Sequence, residues 1–290
     1  MSEEFGGAHC LGRKKRKPLT DEWDAVVERA KKHIPSVERI LDEALRTLSL
    51  DRDFIFCCFG EALQQIDEQA TEIYLRYERQ ALEFAAREWL EQRREQLQQD
   101  WERLSALLRE HGWDAFKQEV IPVFMDFALL VQRLEKDLGN MRKARGGLTF
   151  ERAVEKLLLE ICIPCERPKG KDRKKLGRFD FVVPNVKTAL KKPDRAIFLE
   201  LKRTLGERWK QKVTVDRERS ERCWLLTIDP KIGEEKAKGI YERIRRGDLG
   251  AFFAPKEVAN QLRRKLRQRG KIWVRSLNKL PEALRRALEG

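Results

Sequence analysis

From Glu61 to His111 the chain runs without a glycine or a proline. No other feature limits the fold as strongly. Leu63, Ile66, Ala70, Ile73, Tyr74 and Tyr77 recur there at helical spacing among Glu, Gln and Arg. Such length without caps implies a helical hairpin or a coiled-coil-like arm. The heptad spacing is imperfect, so a pure coiled coil is not expected. Helical patterns also precede this run. Thr20 can cap a helix carrying Trp23, Val26, Val27 and Ala30 on one face, and Pro35 starts another carrying Val37, Ile40, Leu41 and Ala44. A further helical stretch runs from about Asp114 to Met141, with an interruption expected near Pro122.

The period then changes. "ARGGLTF" (144 to 150) holds two adjacent glycines, a breaker signal, after which Thr149 can cap a helix bearing Phe150, Val154, Leu157, Leu158 and Ile161. Short apolar runs follow: "RFDFVVP" (178 to 184), "AIFLEL" (196 to 201), "CWLLTI" (223 to 228), "GAFFAP" (250 to 255) and "KIWVRS" (271 to 276). Helical patterns separate the later ones, near 205 to 221, 231 to 246 and 255 to 268. Strand and helix in alternation argue an α/β sheet. The organisation expected is a flexible basic arm over 1–19, an all-α domain over 20–141 serving as dimer contact or DNA arm, and an α/β domain over 142–290.

Charge divides the chain at the same place. Residues 1 to 140 hold 21 Lys/Arg against 28 Asp/Glu, a balance of −7, while residues 141 to 290 hold 41 against 20, a balance of +21. The whole chain carries +14. A basic excess of that size points to a polyanion, with nucleic acid the default. No apolar run approaches the ~20 residues of a membrane-spanning helix. The N-terminus "MSEEFGGAHC" lacks the apolar centre of a signal peptide, so a cytoplasmic protein is expected. The basic run Arg13 to Lys17 reads as a solvated arm.

Strand alternation assembles a chemical constellation. In "RFDFVVP", Phe179, Phe181 and Val183 are expected on one face, with Asp180 and Val182 on the other. In "FLELK", Glu200 and Lys202 share a face opposite Leu199 and Leu201. If the two strands pair through the short connection from Val182 to Ala196, Asp180 lies beside Glu200. Two readings of Glu200 and Lys202 stand open: an ion pair at a strand edge, or half of a metal-dependent site. Two neighbouring carboxylates repel unless a cation lies between them. Oxygen ligands without His or Cys favour Mg²⁺ over zinc. Cys57–Cys58 and the "CIPC" pair Cys162 and Cys165 lack a second pair at finger spacing, so they are expected to be small buried hydrophobes.

Together, Asp180, "LELK" (199 to 202), "ARGGLTFERAVEKLL" (144 to 158) and "LKRTLGERWKQ" (201 to 211) resemble the PD-(D/E)xK nucleases, specifically the type II restriction endonucleases. Phe179 stands where the proline of that motif is usual. The resemblance covers about residues 142 to 255 and does not extend to the helical N-terminal half. It implies a restriction-endonuclease-like α+β core, a mixed sheet flanked by helices. Asp180 and Glu200 would bind Mg²⁺, Lys202 would serve the attacking water, and Glu151 would complete the metal shell. Glu151 reads equally as a first-turn glutamate favoured by the helix dipole. Arg173, Lys174 and Arg178, in a basic loop (168 to 178) before Asp180, and Arg208, after Lys202, are the candidate DNA contacts.

The reading that follows is a sequence-specific endonuclease of restriction type, a homodimer that hydrolyses phosphodiester bonds of double-stranded DNA with an Mg²⁺-activated water. A repair nuclease or junction resolvase on the same core is the first alternative. A non-catalytic DNA-binding protein is the second.

Overall fold

The structure is a computed structural model of the 290-residue chain, and it describes residues 20–177, 179–206, 220–265 and 274–289. The chain forms two compact units. One takes the chain up to Ile34 together with Tyr77–Gly139; the other takes Pro35–Arg76 together with Asn140–Gly290.

The first unit is helical. It contains α1 (Thr20–Lys31), the end of α4 (Phe59–Gln92) and much of α5 (Arg94–Glu160). The expected apolar stripe of α1 is buried: Trp23, Val26, Val27 and Ala30 are in the core, as are Ala81, Ala85, Leu130, Leu134 and Leu138. Ion pairs on the rim join Arg29 to Glu88 at 2.5 Å and Arg133 to Asp24 at 3.3 Å.

The second unit is built on a five-stranded sheet in the order β1-β2-β3-β4-β5. The strands are β1 (Phe181–Val183), β2 (Ile197–Leu201), β3 (Cys223–Leu226), β4 (Ala251–Ala254) and β5 (Val274–Ser276). β1 is antiparallel to β2, and the remaining pairs are parallel. Strands of a parallel sheet are covered on both faces and so read as unbroken apolar runs. Every residue of β2, β3 and β4 is accordingly buried. One face, with Phe181, Leu199, Leu226 and Phe253, packs on Phe150, Val154, Leu157 and Leu158 of α5 and on Leu284 of α10 (Leu280–Glu289). The other, with Leu225, Phe252 and Val274, packs on Ile240 of α8 (Glu234–Arg245) and on Val258 and Leu262 of α9 (Lys256–Lys265). This is the mixed sheet flanked by helices expected from the sequence.

Three local expectations give way. The helix is not interrupted near Pro122; α5 instead breaks at Gly112, whose φ is 76°. Nor do Gly146 and Gly147 end a helix. α5 continues through them to Glu160, because Phe150, Val154, Leu157 and Leu158 anchor its last turns in the sheet core. A glycine inside a helix costs about 1 kcal/mol, which such burial outweighs. A Cβ at Gly146 would come within 3.3 Å of the Arg203 guanidinium. Thr149 therefore lies inside the helix and caps nothing.

The packing units also differ from a division near residue 142. α2 (Val37–Leu48), α3 (Arg52–Cys57) and the first turns of α4 belong with the sheet. Leu41, Ile55, Phe59, Leu63 and Ile66 share one core with Leu199 and Phe253. The Gly60 amide donates to Asn278 Oδ1 at 2.8 Å, tying α4 to the turn after β5.

Candidate active site

β1 and β2 pair with Phe181 opposite Leu199, Val182 opposite Phe198 and Val183 opposite Ile197. The same register carried one step further sets Asp180 opposite Glu200. The Asp180 amide donates to Leu199 O at 3.0 Å. In return Asp180 Oδ2 accepts the Leu201 amide at 2.7 Å. The connection between the strands holds α6's successor, the short helix α7 (Val186–Lys191), where α6 itself is Gly170–Leu176.

Regular strand geometry begins only after Asp180. Phe179 therefore does not share a face with Phe181 and Val183, as strict alternation required. It packs with Val182 and Phe198 on the opposite side, its ring 5.1 Å from that of Phe198.

Lys202 follows the last residue of β2, where its own amide donates to Leu226 O at 2.9 Å. Its Nζ lies 2.9 Å from Glu200 Oε1 and 3.7 Å from Asp180 Oδ2, and donates to Leu201 O at 3.1 Å. The ammonium thus balances both carboxylates. Glu200 is 2 % exposed, so its charge has been taken out of water. A charge in that position requires a permanent counter-charge. An edge ion pair in solvent would need none of this arrangement.

The segment after Lys202 is fixed by groups that carried no signal in the sequence. Arg203 makes a two-pronged pair with Asp67 on α4, Nε to Oδ1 at 2.7 Å and Nη2 to Oδ2 at 2.8 Å. Bidentate pairs of this kind fix direction as well as distance. Thr227 Oγ1 donates to Arg203 O at 3.3 Å, and buried Asp229 accepts the Leu205 amide at 2.9 Å. Asp67 reads in the sequence as one more acid on a long polar helix. Only the fold brings it to residue 203.

The other expected site residues lie elsewhere. Glu151 is inside α5, not in a first turn, so a helix dipole does not account for it; it pairs with Arg167. Among the described residues, no group of three His, Cys, Asp or Glu side chains gathers at metal-ligand spacing. Arg173 and Lys174 are exposed on α6, a short helix where the sequence read as a loop. Arg178 and Arg208 lie outside the described residues.

The cysteines correct one expectation. Cys57 and Cys162 are exposed, whereas Cys223 is buried. Burial, helped by the Glu155 carboxylate, pushes the Cys165 thiol up to about 12. The reactive species is the thiolate. Alkylation of the native protein at pH 8 is therefore expected to mark Cys57 and Cys162 and to spare Cys165 and Cys223. Peptide mass mapping reads the result, and equal labelling of Cys165 and Cys162 would contradict it.

Residues 110–267 match the family model described as EcoRII C terminal. The fold is similar to that of Ecl18kI, solved metal-depleted and in complex with uncleaved, modified DNA. The TM-score is 0.66 at 16% identity, covering 92% of this chain and 83% of that one. It is also similar to the restriction endonuclease PspGI in a substrate DNA complex, with a TM-score of 0.61 at 18% identity, covering 90% of this chain and 95% of that one. Both likenesses take in the helical N-terminal half, beyond the span over which the sequence resemblance was carried. No curated protein matches the chain.

Proposed function

The chain belongs to the EcoRII C terminal family, and from that premise we propose that it is a sequence-specific endonuclease of restriction type, hydrolysing double-stranded DNA with a divalent cation. The observation that carries the reading is the convergence of Asp180, Glu200 and Lys202 at the end of β2. The basic balance of the C-terminal half, +21, supports a DNA partner. So do Ecl18kI and PspGI, both solved in complex with DNA.

The residues present fit a hard divalent cation. Two carboxylates converge, one of them buried. Mg²⁺ is ordinarily held by one or two carboxylates, with water and substrate phosphate completing its shell. Asp180 and Glu200 would hold it, and Glu151 is committed to Arg167. When bound, the cation supplies Lewis acidity at the phosphate and acidifies a water.

The chain's own groups do the rest. Glu200 and Asp180 fix the position of positive charge at the end of the sheet. Lys202 would donate to an attacking water or to the charge that grows on a phosphate oxygen. The pair Arg203–Asp67 holds the segment that aims Lys202. In this reading Arg173 and Lys174, exposed on α6 ahead of Asp180, contact phosphate. Two strands of a duplex require two such sites, which favours a homodimer.

Digestion of unmethylated plasmid DNA by the purified full-length protein tests the reading. Discrete fragments that require Mg²⁺ and vanish with chelator are expected. A structure-selective repair nuclease or resolvase would spare plain duplex and cut branched DNA. Binding without cleavage under every divalent metal would leave a DNA-binding protein.

A further inference from the structure

At the amino ends of its parallel strands the sheet is left open. A cavity of about 600 Å³ lies there, at the end of β2 opposite to Glu200 and Lys202. Ile197 at the start of β2, Trp224 near the start of β3 and Ala251 at the start of β4 give it an apolar floor. Two glycines account for the space. α8 ends at Arg245, the chain turns through Gly247 at a φ of 74°, and Gly250 precedes β4. Both glycines line the cavity and put no side chain into it. Ile197 and Glu200 stand three residues apart on β2, about 10 Å, and alternation turns them to opposite faces. The cavity is therefore separate from the acidic pair.

The walls are basic. Among the described residues that line the space, Arg222, Arg245 and Arg275 stand against one carboxylate, Glu221. Arg222 is steadied by donation from Nη1 to Ala287 O at 3.3 Å, and the half-buried Arg275 by its place in β5. Burial, with the charges of Arg286 and Arg263, pushes the Arg275 guanidinium down from its ordinary value, against the opposing pull of Glu282. Positive charge drawn out of water beside like charge favours an anion. Guanidinium groups suit phosphate, because their paired N–H groups match its oxygens. Tyr241 of α8 adds an aromatic wall.

Size and lining select the occupant. Pockets for small molecules span roughly 300–1,000 Å³ and combine an apolar lining with a few fixed polar groups. A bare phosphate fills only a small part of 600 Å³. A wholly apolar ligand would set three guanidinium groups against it. We propose that this cavity binds a nucleoside 5′-phosphate, with the phosphate at Arg245 and Arg275 and the flat base over the apolar floor. Glu221 then accepts from a sugar hydroxyl or an exocyclic amine. Two sources carry this chemistry, a free nucleotide and the 5′-phosphorylated end of a DNA strand. The site goes beyond the nuclease reading and uses neither a metal nor Glu200, so the two can fail separately.

The experiment is isothermal titration of 5′-AMP into the full-length protein without divalent metal. One site per chain is expected, with a Kd on the order of 10 µM, the scale for a ligand of that size at ordinary efficiency. Adenosine and inorganic phosphate, each making part of the contacts, should bind at least about 10-fold more weakly. Arg275→Gln and Arg245→Gln should each weaken AMP at least about 10-fold, the loss of one charge-assisted contact, while Glu200→Gln leaves it unchanged. If Arg275→Gln does not fold, Arg245→Gln, at an exposed helix end, carries the measurement. A DNA hairpin identifies the source. Displacement of AMP by the 5′-phosphorylated hairpin and not by its 5′-hydroxyl twin assigns the cavity to DNA ends; displacement by neither assigns it to free nucleotide. Equal displacement by both would put AMP in the DNA cleft and overturn the proposal. No AMP binding up to about 1 mM overturns it. So does binding that both arginine variants leave intact, or phosphate binding as tightly as AMP.

Discussion

Lys202→Ala is expected to lower metal-dependent DNA cleavage about 10³-fold or more, the range for removing a group that transfers a proton or stabilises charge in the transition state. DNA binding should persist, because the basic α6 and the rest of the positive half are untouched. Single-turnover cleavage, beside a gel-shift measurement of affinity, separates the two effects. The physical ground is the position of Nζ, 2.9 Å from Glu200 Oε1 and 3.7 Å from Asp180 Oδ2. Glu200→Gln tests the other side of the same contact. It removes the charge from a residue 2 % exposed while keeping its shape, and should abolish the metal requirement's benefit along with the activity. Undiminished cleavage by both purified variants would sink the proposed site.

Gly250→Ala carries the largest expected cost to stability, about 3 kcal/mol or more, at the upper end for overpacking because the obstruction is backbone. The Gly250 amide donates to Cys223 O at 2.8 Å, bringing two main chains together just before β4. A Cβ at residue 250 would stand 2.1 Å from Glu221 O and 2.5 Å from its carbonyl carbon. Neither side can yield cheaply. Residues 223–226 are laddered between β2 and β4, and Ala251–Ala254 between β3 and β5. Urea unfolding measures the effect as a lowered midpoint at unchanged slope. A midpoint within experimental error of wild type would show that the segment around Glu221 moves freely.

The strands and the acidic pair were legible because β pairing is a local rule. Alternation over "FDFVV" and "FLELK" was enough to set Asp180 beside Glu200, and a short connection was enough to bring the strands together. Phe179 shows where that rule stops: alternation holds only inside the strand, and the strand starts two residues later. What the sequence concealed was long-range. Nothing about Phe59 or Ile66 announces that they pack beneath Leu199 and Phe253. Asp67 is an unremarked acid until the fold brings Arg203 to it. The two glycines at 146 and 147 signal a break by local propensity, and burial of the following turn overrules it. Glu151 looked like a metal ligand by position in a motif, and its partner in the folded chain is Arg167.

One hydrogen bond joins folding to fidelity. Asp180 commits Oδ2 to the Leu201 amide at 2.7 Å. The same bond is a rung between the two strands. A chain that zipped β1 onto β2 one residue out of step would turn each strand's side chains to the wrong face, and would lose this rung together with the acidic pair. The misassembled molecule is then inert. For a protein proposed to cut DNA, the strand register acts as a proofreading step: the blade exists only in molecules that have folded correctly.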